Sequence, residues 1–307
     1  MFRTFLLLLA MLAPAWAAEP DLLDLVPAEM RIVTIEKPSQ FSGTPLSPAW
    51  RAHPFGRDFP MESVAEVVSA FGAADDGRTF LLYLLRVDPL VLRRTTEAAI
   101  RIERIGDTEI IHLPVKEGRQ TMVFGSSVMA WGDARQVEAA AELFRGGKAA
   151  ILPAGVRPHL NSLRANSLSV TWLMPPKYPY SPEGPETIAD QIEFLAEQAY
   201  STIRWADGSV ESREEFVADS AQSAGRLAGL IRKIVQDGFE PDEGTQLSDV
   251  LRQYHRNFGE SAEVSEDGNS VQISVLLTPE QFEKLRQESD NESPDAVPEE
   301  TPDDTPL

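Results

Sequence analysis

The apolar positions of this chain change period repeatedly, and each change marks an element. Along residues 210–218 they alternate loosely, as a strand with one covered face does. Asp219-Ser220-Ala221-Gln222 then offers side-chain oxygens to cap a helix. Ala224, Leu227, Ile231, Ile234 and Val235 recur at helical spacing, and Gly238 can close the last turn in the left-handed conformation. Residues 127–147 repeat this plan. There Val128-Met129-Ala130-Trp131 is the strand, Asp133-Ala134-Arg135-Gln136 the cap, Val137, Ala140, Ala141 and Phe144 the buried stripe, and Gly146 the stop. Two segments built alike predict an α+β fold: two related units of antiparallel or mixed sheet, with helices packed on one face.

The remaining pattern fills in both units. Met30-Arg31-Ile32-Val33-Thr34-Ile35 reads as a first strand. Residues 37–60 carry five prolines and two glycines and leave room for one helical turn, near 48–52. Ser63 and Glu66 form a capping box, and Val64, Val67, Val68 and Phe71 lie on one side of a helix. Phe80-Leu81-Leu82-Tyr83-Leu84-Leu85 has no strongly polar residue in either direction, so it is a strand covered twice. Pro89 starts a short helix, residues 100–105 and 108–113 form a hairpin about Gly106-Asp107, and residues 121–124 make a further strand. Pro153, Gly155 and Pro158 mark residues 153–163 as a joint without periodicity. Beyond it come a strand with Leu168, Val170 and Trp172 on one side, a helix over 187–199, and a strand over 200–205 that turns at Asp207-Gly208. A helix carrying Val250, Leu251, Tyr254 and Phe258, a hairpin about Asp267-Gly268-Asn269, and a last helix capped by Thr278-Pro279-Glu280-Gln281 complete the chain. The units span residues 18–152 and 153–286.

The two ends carry a different signal. Arg3, the apolar run over residues 5–12 and Ala15-Trp16-Ala17 make residues 1–17 a signal peptide, cleaved near Ala17-Ala18. The run is shorter than the ~20 residues that span a bilayer, and no later stretch is long enough. The mature chain is therefore expected to be periplasmic or secreted. With no cysteine among its 307 residues, it has neither a disulfide nor a thiol to take a lipid anchor. Residues 287–307 are acidic and rich in proline, and are expected to be a disordered spacer or solubility tail. Against 48 acidic residues stand 28 Lys and Arg; the net charge of −20 repels nucleic acid.

Pro27-Ala28-Glu29 leading into the first strand, the hairpin-strand-cap-helix order through Trp131 to Phe144, and Asp267-Gly268-Asn269-Ser270-Val271 before a capped last helix carry a resemblance. On these motifs the chain resembles a loose group of secreted α+β proteins of unknown function, typical of planctomycete-type bacteria, in which strand-helix units are duplicated. The resemblance implies a fold and an export route. It brings no activity and no ligand residues.

Candidate chemistry is sparse, and no catalytic, cofactor or metal residue is assigned. His53, His112, His159 and His255 never fall at metal-ligand spacing. Asp237, Glu240, Asp242 and Glu243 crowd one loop without the EF-hand pattern. Gly125-Ser126-Ser127 lacks the nucleophile-elbow glycine, and Gly146-Gly147-Lys148 lacks the Ser or Thr of a phosphate loop. Glu214 and Glu215 are adjacent acids in an acidic chain. One segment suits binding: Lys177, Tyr178 and Tyr180 among prolines set two rings and a cation on a stiff backbone, fit for an envelope protein, a peptide or a glycan. The expected function is a non-enzymatic binding or structural module of the periplasm or cell envelope. The alternative is a hydrolase-like enzyme with a carboxylate-lined cleft between the units.

Overall fold

Thr79–Val87 buries side chains in both directions, Leu82 and Leu84 on one side and Leu85 and Val87 on the other. Such a strand belongs inside a sheet covered twice. The computed structural model describes residues 20–44, 46–73, 79–116, 118–147, 152–153, 155–175, 187–206, 208–238, 246–281 and 284. Its strands in chain order are β1 (Ile32–Glu36), β2 (Val64–Ala73), β3 (Thr79–Val87), β4 (Arg101–Ile105), β5 (Thr108–His112) and β6 (Gln120–Phe124). They continue with β7 (Val128–Gly132), β8 (Ser169–Leu173), β9 (Ala196–Ala206), β10 (Ser209–Ala218), β11 (Glu263–Asp267) and β12 (Ser270–Leu277). All twelve lie in one sheet, ordered β11-β12-β10-β9-β8-β1-β2-β3-β7-β6-β5-β4, and every pairing is antiparallel.

Helices cover both faces of this sheet. They are α1 (Ser47–Ala52), α2 (Pro89–Thr95), α3 (Ala134–Phe144), α4 (Val156–Ala165), α5 (Ile188–Leu195), α6 (Ala221–Val235) and α7 (Gln246–Phe258). On the first face, Leu227, Ile231, Ile234 and Leu251 of α6 and α7 pack against Val210, Phe216, Val271 and Ile273. Further along that face the irregular stretch supplies Phe41, Leu46, Trp50, Phe55 and Phe59 to cover Val67, Leu85 and Met129. On the second face α3, α4 and the turn Leu22–Leu25 cover Val33, Val68, Leu84, Ala130 and Trp172.

Helices on one face, as the patterning predicts, is thus corrected. The strands β2, β3 and β7 are largely apolar in both directions, and each direction demands a cover. Two segments also differ in type. Residues 64–73 form β2 and not a helix: Val67 and Val68 point to opposite faces and both are fully buried. Burial on both sides removes the alternation that marks a strand, and a register shift between Val64 and Glu66 disturbs it further. Residues 153–163, expected to lack periodicity, lie largely in α4: Pro158 is the third helical residue, where an N–H has no partner within the helix. The helix expected over 187–199 stops at Leu195: Ala196 is extended and opens β9 directly. Thr187 and Asp190 form the capping box at its start, and Ser220 accepts from the Ser223 N–H to start α6.

A half-buried ionic cluster ties the first described residues to α4. Arg164 donates to Asp21 at 2.9 Å and to Glu66 at 2.5 Å, and Arg157 reaches Asp24. Glu66 is among the few charged residues removed from solvent.

Candidate ligand cavity

The first-face side chains of β10 are Val210, Ser212, Glu214, Phe216 and Ala218, so two polar groups interrupt an apolar row. Directly paired residues share a face. Glu214 pairs with Ser201, Ser201 with Thr171, Thr171 with Thr34, Thr34 with Ser69 and Ser69 with Tyr83. One line of hydroxyls therefore crosses six strands and ends at a carboxyl. The Thr34 and Thr171 hydroxyls bond each other at 3.0 Å. The adjacent line, through Glu215, Tyr200, Trp172, Val33 and Ala70, lies on the second face and is mostly apolar.

The helix α7 roofs the carboxyl end of the hydroxyl line. Leu247, Leu251 and Tyr254 are its buried stripe. The Tyr254 hydroxyl lies 2.8 Å from Oγ of Ser212 and donates to Oε1 of Glu214 at 3.5 Å. Between helix and sheet is a cavity of about 410 Å³, within the range of small-molecule sites. Ile32, Leu173, Ile203, Phe216 and Val250 line it, with Gln253 and Asn257 at the exposed side of α7. Among the described residues, no Lys, Arg or His lines it.

Burial pushes the Glu214 carboxyl up to about 8, against hydrogen bonds from Ser201 and Tyr254 that act the other way. The residue is half-buried and lines the cavity. At neutral pH it holds its proton. Tyr254 is raised too, first by burial and then by the neighbouring Glu214. A second acid of this face, Glu36, is also raised by burial, and His53 beside it at 3.7 Å is lowered to about 4 by burial while stacked on Trp50. The strands β8 and β9 separate Glu36 from Glu214, a gap of about 15 Å at three strand spacings.

The adjacent acids singled out in the sequence part company here. Glu215 faces the second side, where it accepts from Ser270 at 2.8 Å and pairs with His159 at 3.0 Å. Burial pushes its carboxyl up, but those hydrogen bonds outweigh burial and hold it below the ordinary range. Lys177, Tyr178 and Tyr180 lie outside the described residues, as do Glu240, Asp242 and Glu243 of the acidic loop and the N- and C-terminal segments. Ser126 sits in the turn between β6 and β7, and Gly146 ends the α3 segment with φ 93°. Among the described residues no group of three His, Asp or Glu could hold a metal ion, and no helix is long and apolar enough to cross a membrane. Sequence reasoning missed Ser201, Ser212 and Tyr254. The signal available was the polar gap in the β10 row opposite a tyrosine in an apolar helical stripe.

No protein-family model matches the chain, and no curated protein matches it in sequence. Solved structures do. Its fold is similar to that of TP0453. Crystal form I of TP0453 superposes with a TM-score of 0.52 at 10% identity, covering 88% of this chain and 98% of that one. Crystal forms III and IV give 0.50 at 9% identity, over 88% and 89% of this chain and 99% of theirs. The likeness to TP0453 is one of fold over nearly its whole length.

Proposed function

We propose that this chain is an exported, non-enzymatic binding module of the periplasm or cell envelope, and that the cavity beneath α7 is its ligand site. The observation that carries the reading is one carboxyl, Glu214, set beside the hydroxyls of Ser201, Ser212 and Tyr254 on the wall of a cavity that Ile32, Leu173, Ile203, Phe216, Leu247 and Val250 also line. Buried polar groups are costly unless satisfied, and fixed ones in an apolar cleft orient a ligand. Hydrolysis of the glycosidase kind, by a pair of carboxyls, needs two acids flanking one bond, within roughly 10 Å. Glu36 and Glu214 are too far apart for that, which disfavours the hydrolase reading.

The sheet order also supports the kinship of two units. The meander β1-β2-β3 is extended by the hairpin β7-β6, and the meander β8-β9-β10 by the hairpin β12-β11, with β1 beside β8 at the centre. The correspondence then runs between β10 and β3, so the likeness of the 127–147 and 209–238 segments would be one of local plan. Membership of the planctomycete-type group and export through residues 1–17 rest on the sequence motifs; an amino terminus at Ala18 in the mature protein would support export. The acidic tail is proposed as a spacer.

Binding of Nile red, a neutral apolar dye, tests the site. Thr171→Trp fills the cavity from β8 and Gln253→Trp closes it from α7; each should weaken binding at least fivefold while thermal unfolding stays within a few degrees of wild type. Unchanged binding in both variants would refute the cavity as the site.

A further inference from the structure

We propose that the cavity beneath α7 takes an organic monocation, an apolar body with one ammonium head, and that Glu214 receives the charge. This deepens the reading above and rests on it. Among the described residues the lining supplies one acid and no base, so an anionic head would meet Glu214 without a counter-charge from them. An ammonium has three N–H donors. Glu214 can accept one, and Ser201, paired with it across the strands, and Ser212, two residues along the same face, supply hydroxyl acceptors. Aromatic rings frame the same spot: Tyr254 and Phe258 lie with centroids 5.0 Å apart, and Phe216 lines the cavity beside them. Ring faces attract a desolvated cation. A net charge of −20 raises the local concentration of cations around the whole molecule.

The charge balances without a resident counter-ion. In the free protein Glu214 is neutral; when the ammonium arrives, the carboxyl gives one proton to solvent and the carboxylate pairs with the cation. Because the proton sits at about 8, ionising it at pH 7 weakens binding only about tenfold. Tyr254 is the other titratable group facing it from α7; the β9 and β12 residues beside it, Ser201 and Ile273, carry no charge.

Calorimetry with octylammonium, 1-octanol and octanoate, which share a chain and differ in head, tests the proposal on the full mature chain. Octylammonium should bind at least tenfold tighter than octanol at pH 8, with octanoate weakest. At pH 7 it should release close to one proton per ligand, read from the dependence on buffer ionisation enthalpy, and its affinity should fall about tenfold per pH unit below 8 while that of octanol stays flat. Glu214→Gln should abolish the preference for octylammonium over octanol. Equal affinity for octanol and octylammonium, or tighter octanoate, would overturn the cationic head while Nile red binding still upheld the cavity. Binding of none of the three, with Nile red indifferent to Thr171→Trp, would sink both readings. Should Glu214→Gln fail to fold, the wild-type head-group order and proton release decide alone.

Discussion

Tyr254 on α7 holds its hydroxyl 2.8 Å from Oγ of Ser212 on β10, and this bond fastens the helix over the end of the hydroxyl line. Replacing it by Tyr254→Phe removes the bond and the weaker one to Glu214 while keeping the ring. The expected loss is about 1–2 kcal/mol in urea unfolding, the cost of leaving buried partners unsatisfied. An unchanged midpoint would mean that water replaces the phenol without cost.

Glu214 and Glu215, adjacent on β10 but on opposite faces, should have opposite pH dependence. The folded state raises Glu214, so its proton favours folding below the unfolded pKa and that advantage is lost as pH rises to about 8. Glu214→Gln should therefore gain on wild type by about 1 kcal/mol per pH unit between roughly pH 5 and 8. Glu215 is lowered, so its contribution is present above the unfolded carboxylate value and disappears as pH falls through the folded one. The deficit of Glu215→Gln should shrink on acidification below about pH 4.5. Urea midpoints of the three proteins from pH 3 to 9 check both slopes.

Two glycines should respond to alanine with opposite signs. At Gly132 φ is 154° and a Cβ would lie 2.2 Å from the Leu81 carbonyl oxygen, so Gly132→Ala forces β7 away from β3 at a cost of about 3 kcal/mol. Gly229, on the exposed side of α6, has nothing within 4 Å of a built Cβ, and Gly229→Ala should stabilise by up to about 1 kcal/mol. Thermal unfolding of the two variants checks the pair.

Arg164 bridges Asp21 and buried Glu66, so Arg164→Ala leaves a desolvated carboxylate without its partner. The expected cost is about 3–5 kcal/mol, of which Asp21→Asn, Glu66→Gln and Arg164→Met together should recover most. Denaturant midpoints of the single and triple variants measure both steps.

Most strands were legible because one covered face imposes alternation, as at Val271, Ile273, Val275 and Leu277, or because turns such as Gly106 and Gly268 announce themselves. The failures have one cause each: β2 is buried on both faces, and Pro158 of α4 falls where a helix tolerates it. The cavity was not legible as a unit. Glu214, Ser201, Thr171 and Thr34 come from four strands separated by up to 180 residues, and only the register of the sheet aligns them. Glu214 read as one more acid in an acidic chain, since burial, which gives it its chemistry, is a tertiary property.

The most direct measurement is a carbon-13 NMR titration of the Glu214 side-chain carboxyl, assigned by comparison with Glu214→Gln, with and without octylammonium. A proton-bearing acid in a cation-binding cavity should titrate near pH 8 in the free protein and below pH 7 with the ligand bound. A midpoint near 4.5 that octylammonium leaves in place would contradict the account.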